Sequence, residues 1–173
     1  MTSGALSADK HGGGAPPPRK PHIELPFLLD FVPLQDEGST QVSRFFSALK
    51  EGRFETTRCT ACDTLLFQPR TTCPECMSTE LRWEELPQSG RIYAFSAMLM
   101  GAPIGMEKDL PFVLGLIDLD GVGLRIFSRF EGGSYEDFAI GQRMRLRVHT
   151  FPDGRVTYRF APAADTFPLQ AKA

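Results

Sequence analysis

The chain has 173 residues, 42% of them hydrophobic and 23% charged, a mix that excludes wholesale disorder and suits one medium domain or two small ones. Nineteen basic against 21 acidic residues, with only five lysines, leave a formal charge of −2, which argues against a strongly cationic nucleic-acid binder. No apolar run approaches the roughly 20 residues of a membrane helix, and Met1–Pro18 lacks the apolar centre of a secretory signal, so a cytoplasmic protein without membrane contact is expected.

Residues 1–21, with Gly12-Gly13-Gly14 and Pro16-Pro17-Pro18, bury too little to offset their ordering entropy and read as a disordered tail. Residues 22–52 read as an apolar arm and a helix. In the arm, Ile23, Leu25, Phe27, Leu28, Leu29, Phe31, Val32 and Leu34 crowd between Pro21, Pro26 and Pro33, which favour extended chain. Such an arm either packs on its own domain or docks on another subunit. The helix is expected over Ser39–Glu51: Val42, Phe45, Phe46 and Leu49 make one stripe, Ser39 or Thr40 can cap its start, and Gly52 can end it.

Residues 53–86 hold all four cysteines. Residues 87–161 carry short strand signals. They comprise Arg91–Leu99, the nearly all-apolar Pro111–Leu119 (expected to be buried on both faces), and Val122–Phe130 after an Asp120-Gly121 hairpin turn. A short turn or helical piece at Tyr135–Ile140 precedes two alternating strands, Arg143–His149 and Val156–Phe160, joined at Asp153-Gly154. Five short strands with one interruption fit a small closed barrel of the OB type, with a sandwich as the alternative. Residues 162–173 loosen into a C-terminal tail. The fold class is therefore mainly β.

Cys59-Thr60-Ala61-Cys62 and Cys73-Pro74-Glu75-Cys76 are two C-x-x-C pairs separated by ten residues. Each pair turns two thiolates toward one point, and two turns supply the four sulfurs that structural Zn²⁺ prefers. Iron suits the same donors, although the Cys62–Cys73 gap is short for rubredoxin-like knuckles. Disulfides fit a reducing compartment poorly, and a redox dithiol would need one pair in a βαβ unit. Few apolar side chains lie between Phe54 and Trp83, so this lobe is expected to need its ion to fold.

The run from Arg58-Cys59 through Phe67-Gln68-Pro69-Arg70 and Cys73-Pro74-Glu75-Cys76 to Trp83-Glu84-Glu85 and Ser89-Gly90-Arg91-Ile92-Tyr93 resembles the DUF35 family, as do the Phe45-Phe46 helix, Leu116-Ile117-Asp118-Leu119 and Ile140-Gly141. The resemblance covers about Ser39 to Phe160. It implies a rubredoxin-like zinc ribbon followed by an OB-fold. Asp63 stands where the family often has Gly, and Phe46 where it often has Trp. The resemblance further implies a hetero-oligomer. Members commonly partner thiolase-fold enzymes, or acyl-CoA hydratases and aldolases, stabilising the partner and helping to form its CoA or acyl-CoA site.

A chemical inventory of the residues points independently to a module that is not catalytic alone. Thiolysis needs a low-pKa cysteine and a second acid or base, but the metal reading uses every cysteine. His11 and His22 fall in the tail and arm, and His149 ends a polar strand face. No G-x-S-x-G, H-E-x-x-H or phosphate-loop motif is present. Arg143, Arg145 and Arg147, with Arg155 and Arg159, form either a solvated face or a site for an anion such as the phosphates of CoA or an acidic patch on a partner. The loop Met100–Leu110, with Met100, Ile104 and Met106, either folds back as core or offers a contact surface. The expectation is a zinc-binding accessory subunit of a thiolase-type acyl-CoA complex. A single-stranded nucleic-acid-binding ribbon/OB protein is the alternative.

Overall fold

A computed structural model describes residues 35–102 and 106–163; the tail 1–21, the arm 22–34, Ile104 and residues 164–173 lie outside the described residues. The elements are α1 (Ser43–Lys50), β1 (Glu55–Cys59), β2 (Leu65–Leu66), β3 (Leu81–Glu85), β4 (Ser89–Met98), β5 (Phe112–Leu119), β6 (Arg125–Phe130), β7 (Arg143–Thr150) and β8 (Val156–Pro162). The first three strands make a sheet of order β2-β1-β3, and the last five close a barrel of order β4-β5-β6-β8-β7. Strands β6 and β8 meet in parallel at Phe130 and Phe160, while β7 closes onto β4 by pairing Ser89–Arg91 with Arg143–Arg145. This closure is the OB arrangement and excludes an open sandwich.

Helix α1 begins at Ser43, later than its apolar stripe suggests, because the residues before it make their own turn. The Ser39 hydroxyl donates to the Asp36 carboxylate, and the Thr40 hydroxyl accepts the Val42 N–H at 3.3 Å. Neither caps the helix, which has no side-chain cap. Its far end is closed by Gly52 at φ +78°, with the Arg53 N–H on Ala48 O at 2.8 Å and the Gly52 N–H on Leu49 O at 3.0 Å, a Schellman pattern. Phe45, Phe46, Ala48 and Leu49 are buried.

Strand β5 is not buried on both faces, despite its composition. Val113, Gly115, Ile117 and Leu119 point into the barrel, whereas Leu114 and Leu116 are only half-buried on the outside. The β5–β6 hairpin also has a wider loop than a two-residue Asp-Gly turn. The Leu119 N–H reaches Leu124 O at 2.9 Å, Gly121 and Gly123 both adopt positive φ, and β6 starts at Arg125. Between β6 and β7, Tyr135–Asp137 forms one 3₁₀ turn, capped reciprocally by Ser134 and Asp137.

One apolar core runs through α1, the ribbon base and the barrel, from Phe45, Leu49 and Phe54 through Leu86 to Ile117, Ile126 and Phe160. Where the three parts meet, an aromatic seam joins them. Phe54 lies 5.6 Å from both Phe67 and Tyr158, and Phe67 lies 5.6 Å from Tyr158. Phe45 adds an edge-on contact to Tyr158 at 6.3 Å. Edge-to-face pairs of this kind contribute about 0.5–1.5 kcal/mol beyond area burial.

Candidate metal centre and contact surfaces

The two C-x-x-C turns converge. The four thiol sulfurs all lie within 4.8 Å of one another. Cys59 and Cys76 sulfurs are 3.6 Å apart, and those of Cys62 and Cys73 are 3.5 Å apart. These spacings are too long for S–S bonds and all four are free thiols. They approach the edge of about 3.8 Å that a tetrahedron with Zn–S near 2.3 Å requires. The donor set therefore fits one structural zinc ion.

Each knuckle is built the same way. The Cys59 N–H donates to Thr64 O at 2.9 Å, and the Cys73 N–H donates to Ser78 O at 2.8 Å. The residue after each second cysteine, Asp63 or Met77, sits in the left-handed region at φ 59° or 60°. That explains why glycine is common at the first of these positions in the family it resembles: a side chain there is strained, although Asp tolerates it better than most. Asp63 also approaches Arg58 at 3.6 Å and Arg82 at 3.9 Å. Below the knuckles, Cys59, Leu66 and Cys73 form a small buried cluster with Leu81.

The cluster is electrostatically incomplete as four thiols. The Thr64 hydroxyl, 3.1 Å from the Cys62 sulfur, and a backbone bond to Thr64 hold that thiol down to about 6. The Ser78 amide also lowers Cys76, but the crowding sulfurs of Cys62 and Cys59 and burial outweigh it and push Cys76 up to about 12. Four sulfurs at this separation cannot all ionise without a compensating positive charge.

Ion pairs brace the ribbon sheet. Arg58 donates twice to Glu84, at 2.7 and 2.8 Å, and this bond holds the Glu84 carboxyl below its ordinary value. The buried Glu55 carboxylate is held by Arg44 at 3.0 Å and by Arg53. Sequence pattern alone could not place Glu55 inside, because it shares no periodicity with the apolar stripe; the cross-strand register of β1 and β3 puts it there.

The arginines of β7 and β8 do not behave alike. Arg143 is 3.0 Å from Asp120, Arg155 turns back on Asp153 at 2.6 Å, and Arg159 is 3.7 Å from Glu131. Arg145 and Arg147 are exposed, and no acidic residue pairs with either among the described residues. Arg147 lies directly opposite Arg159, so the outer face of this hairpin keeps an excess of positive charge. His149 at its end packs edge-on against Phe151 at 4.9 Å, and burial with nearby Arg159 pushes it below the usual imidazole range. At the β4–β5 connection, Leu99 and Met100 are exposed by 67% and 79%, so this part of the loop does not fold back as core. On the outer face of the barrel, Leu116 bridges Ala94 and Phe127 in one cross-strand row, with Phe127 half-exposed.

Profiles described as "ChsH2, rubredoxin-like zinc ribbon domain" and "ChsH2, C-terminal OB-fold domain" match residues 46–82 and 83–149. A DUF35 domain-containing scaffold protein from Methanocaldococcus jannaschii is 32% identical over 108 residues, spanning 60% of this chain and 75% of that protein. The chain belongs to the DUF35 family. It is also 29% identical over 102 residues to a probable enoyl-CoA hydratase alpha subunit from Thermomonospora curvata, a match covering 59% of this chain and 31% of that longer protein. Among solved structures, it resembles a chain of the Ltp2-ChsH2(DUF35) aldolase, with TM-score 0.60, 26% identity, and coverage of 70% of this chain and 94% of that one. A DUF35 protein of unknown function from Sulfolobus solfataricus shares the fold at 15% identity and TM-score 0.51, over 75% of this chain and 90% of that one. Among the described residues, no helix is long and apolar enough to cross a membrane.

Proposed function

We propose that this DUF35 protein is a zinc-stabilised, non-catalytic accessory subunit of an acyl-CoA enzyme. The observation that carries this reading is the convergence of the four sulfurs, which lie within 4.8 Å of one another; a single ion held by all four would leave no cysteine to attack a thioester. Cys59, Cys62, Cys73 and Cys76 are the proposed ligands. The ion's role there is to hold the two knuckles together. Relatives named as an enoyl-CoA hydratase subunit and as part of an aldolase support a hetero-oligomer that handles acyl-CoA.

The partner is proposed to be a thiolase-fold large subunit. In layout the chain is similar to the small subunit of benzoylsuccinyl-CoA thiolase of anaerobic toluene degradation. The most specific form of the proposal is therefore thiolysis of 2-benzoylsuccinyl-CoA by CoA to benzoyl-CoA and succinyl-CoA, with the chemistry in the large subunit. Arg145 and Arg147, with Arg143 beside them, are the proposed contacts for CoA phosphates or an acidic partner surface, because guanidinium groups pair with phosphate in two-point geometry.

Affinity purification of the tagged full chain from its native host, followed by acyl-CoA turnover assays, tests the proposal. Acyl-CoA activity should co-elute, and the isolated chain should turn over no thioester. Turnover by the isolated chain, or a steeply salt-dependent affinity for single-stranded DNA in place of a co-eluting enzyme, would overturn it.

A further inference from the structure

Strand β6 is paired along its whole length on one side and at a single point on the other. Its register with β5 runs from Arg125 opposite Asp118 to Phe130 opposite Val113, whereas β8 meets it only where Phe130 lies beside Phe160. In a strand, the N–H and C=O of one residue point to the same side, and those of the next residue to the other. The Glu131 N–H reaches Phe160 O at 2.9 Å, so the backbone groups of Arg125, Phe127 and Arg129 also face the β8 side. There Phe127 O accepts the Tyr158 hydroxyl at 3.3 Å, and the parallel bridge to Phe160 uses Arg129 O. The N–H groups of Arg125, Phe127 and Arg129 and the Arg125 C=O have no partner among the described residues. The closed barrel thus keeps one short open strand edge, just before the point where β6 and β8 meet.

The side chains along this edge share the outer face of the barrel: an apolar residue, Phe127, between two cations, Arg125 and Arg129. Half-exposed Phe127 continues into Leu116 and Ala94 in the neighbouring strands. Arg125 is fixed by Asp118 at 2.7 Å and stacks on Tyr93 at 3.4 Å, and Arg129 is fixed by Asp109 at 2.6 Å. Each guanidinium carries more N–H groups than its aspartate takes. Across the opening, Tyr158 packs on Phe67, and Arg70, at most about 11 Å further along the chain, is exposed with no acidic partner among the described residues.

A strand added to this edge sets its own alternate residues beside Arg125, Phe127 and Arg129, so the matching pattern is acidic, apolar, acidic. Two nearer occupants fail it. A second copy of β6, laid antiparallel about Phe127, opposes Arg125 to Arg129 and is repelled. Within residues 1–34 and 164–173, the acidic residues Asp9, Glu24, Asp30 and Asp165 are never four positions from another acid. We infer that the open edge of β6 docks an extended acidic–apolar–acidic segment of another protein by strand addition. The inference is independent of which enzyme the subunit serves.

The test is ¹⁵N NMR of the full-length, zinc-loaded chain titrated with a capped peptide running threonine–glutamate–threonine–valine–threonine–glutamate–threonine. The expected result is a shift and slowed hydrogen exchange at the Phe127 and Arg129 amides. Affinity should be about tenfold above that of the same peptide with lysine for glutamate, the change that two reversed cross-strand charge pairs produce. The Phe127→Glu variant, altered only on the outer face, should keep its zinc and its remaining amide spectrum and bind the glutamate peptide at least about tenfold more weakly. Edge amides unmoved at millimolar peptide would overturn the inference, as would equal affinity for the lysine peptide, or shifts confined to the Arg145 and Arg147 face. A dimer of the free chain that already protects the Phe127 amide would put a second copy on the edge and overturn it too.

Discussion

Asp63 and the four cysteines show how single residues set the ribbon's shape. Each knuckle needs a left-handed residue after its second cysteine, and Asp63 fills that place at φ 59°. Replacing it with Gly should be close to neutral, since the relief of strain offsets the loss of two long contacts from an exposed carboxylate to Arg58 and Arg82. Asp63→Val should cost about 1–3 kcal/mol, because a β-branched side chain is poorly accommodated there; urea unfolding of the zinc-loaded variants measures both. Cys76→Ser, by contrast, removes a ligand. The expected outcome is loss of bound zinc and of native structure in the ribbon, read by metal analysis and amide exchange protection. The cysteine set was legible in the sequence because its spacing is itself the chemistry. The matched left-handed residues were not, since Asp and Met carry no mark of backbone handedness.

Among the elements, the strands of the barrel were easier to read than their surroundings. Alternation in β7 and β8 identified the inward faces, because one buried face forces a period of two. Composition misleads for β5: five aliphatic residues lie on it, but the closed barrel covers one face only, leaving Leu114 and Leu116 on the outside. The stripe of helix α1 is legible in sequence, but its start is not, because Ser39 and Thr40 have the chemistry of caps and instead hold the turn before Ser43. Gly115 in mid-strand has a tertiary cause. A Cβ there would stand 2.4 Å from the Phe130 ring and 2.6 Å from the Ala94 carbonyl. Gly115→Ala should therefore destabilise the barrel by about 1–3 kcal/mol or more, measured by chemical denaturation. An Ala placed at the open, exposed Gly38 serves as a control, where only a flexible carboxylate must give way.

For the whole molecule, the aromatic seam joins the ribbon to the helix and the barrel within one shared core. Phe45, Phe54, Phe67 and Tyr158 come from α1, the ribbon and β8, so their meeting depends on tertiary placement that no local pattern encodes. Loss of the ion should be felt in the barrel. Trp83, the single tryptophan, lies on β3 and reports the ribbon, while far-UV circular dichroism is dominated by the larger barrel. In thermal unfolding of the intact protein the two signals should change together; a ribbon that melts well before the barrel would mean the seam does not couple them. The Arg145→Glu/Arg147→Glu double variant should keep fold and zinc, since neither side chain pairs with an acidic residue among the described residues, and yet weaken recovery of the acyl-CoA enzyme in affinity purification.

The proposed account rests on one zinc ion held by all four sulfurs, and native mass spectrometry of the purified full chain, before and after alkylation with iodoacetamide, tests it most directly. The expected spectrum shows about one zinc ion per chain with four thiols that resist alkylation until a chelator removes the metal. A metal-free mass with two disulfides, or a cysteine alkylated while zinc remains bound, would contradict a closed structural site.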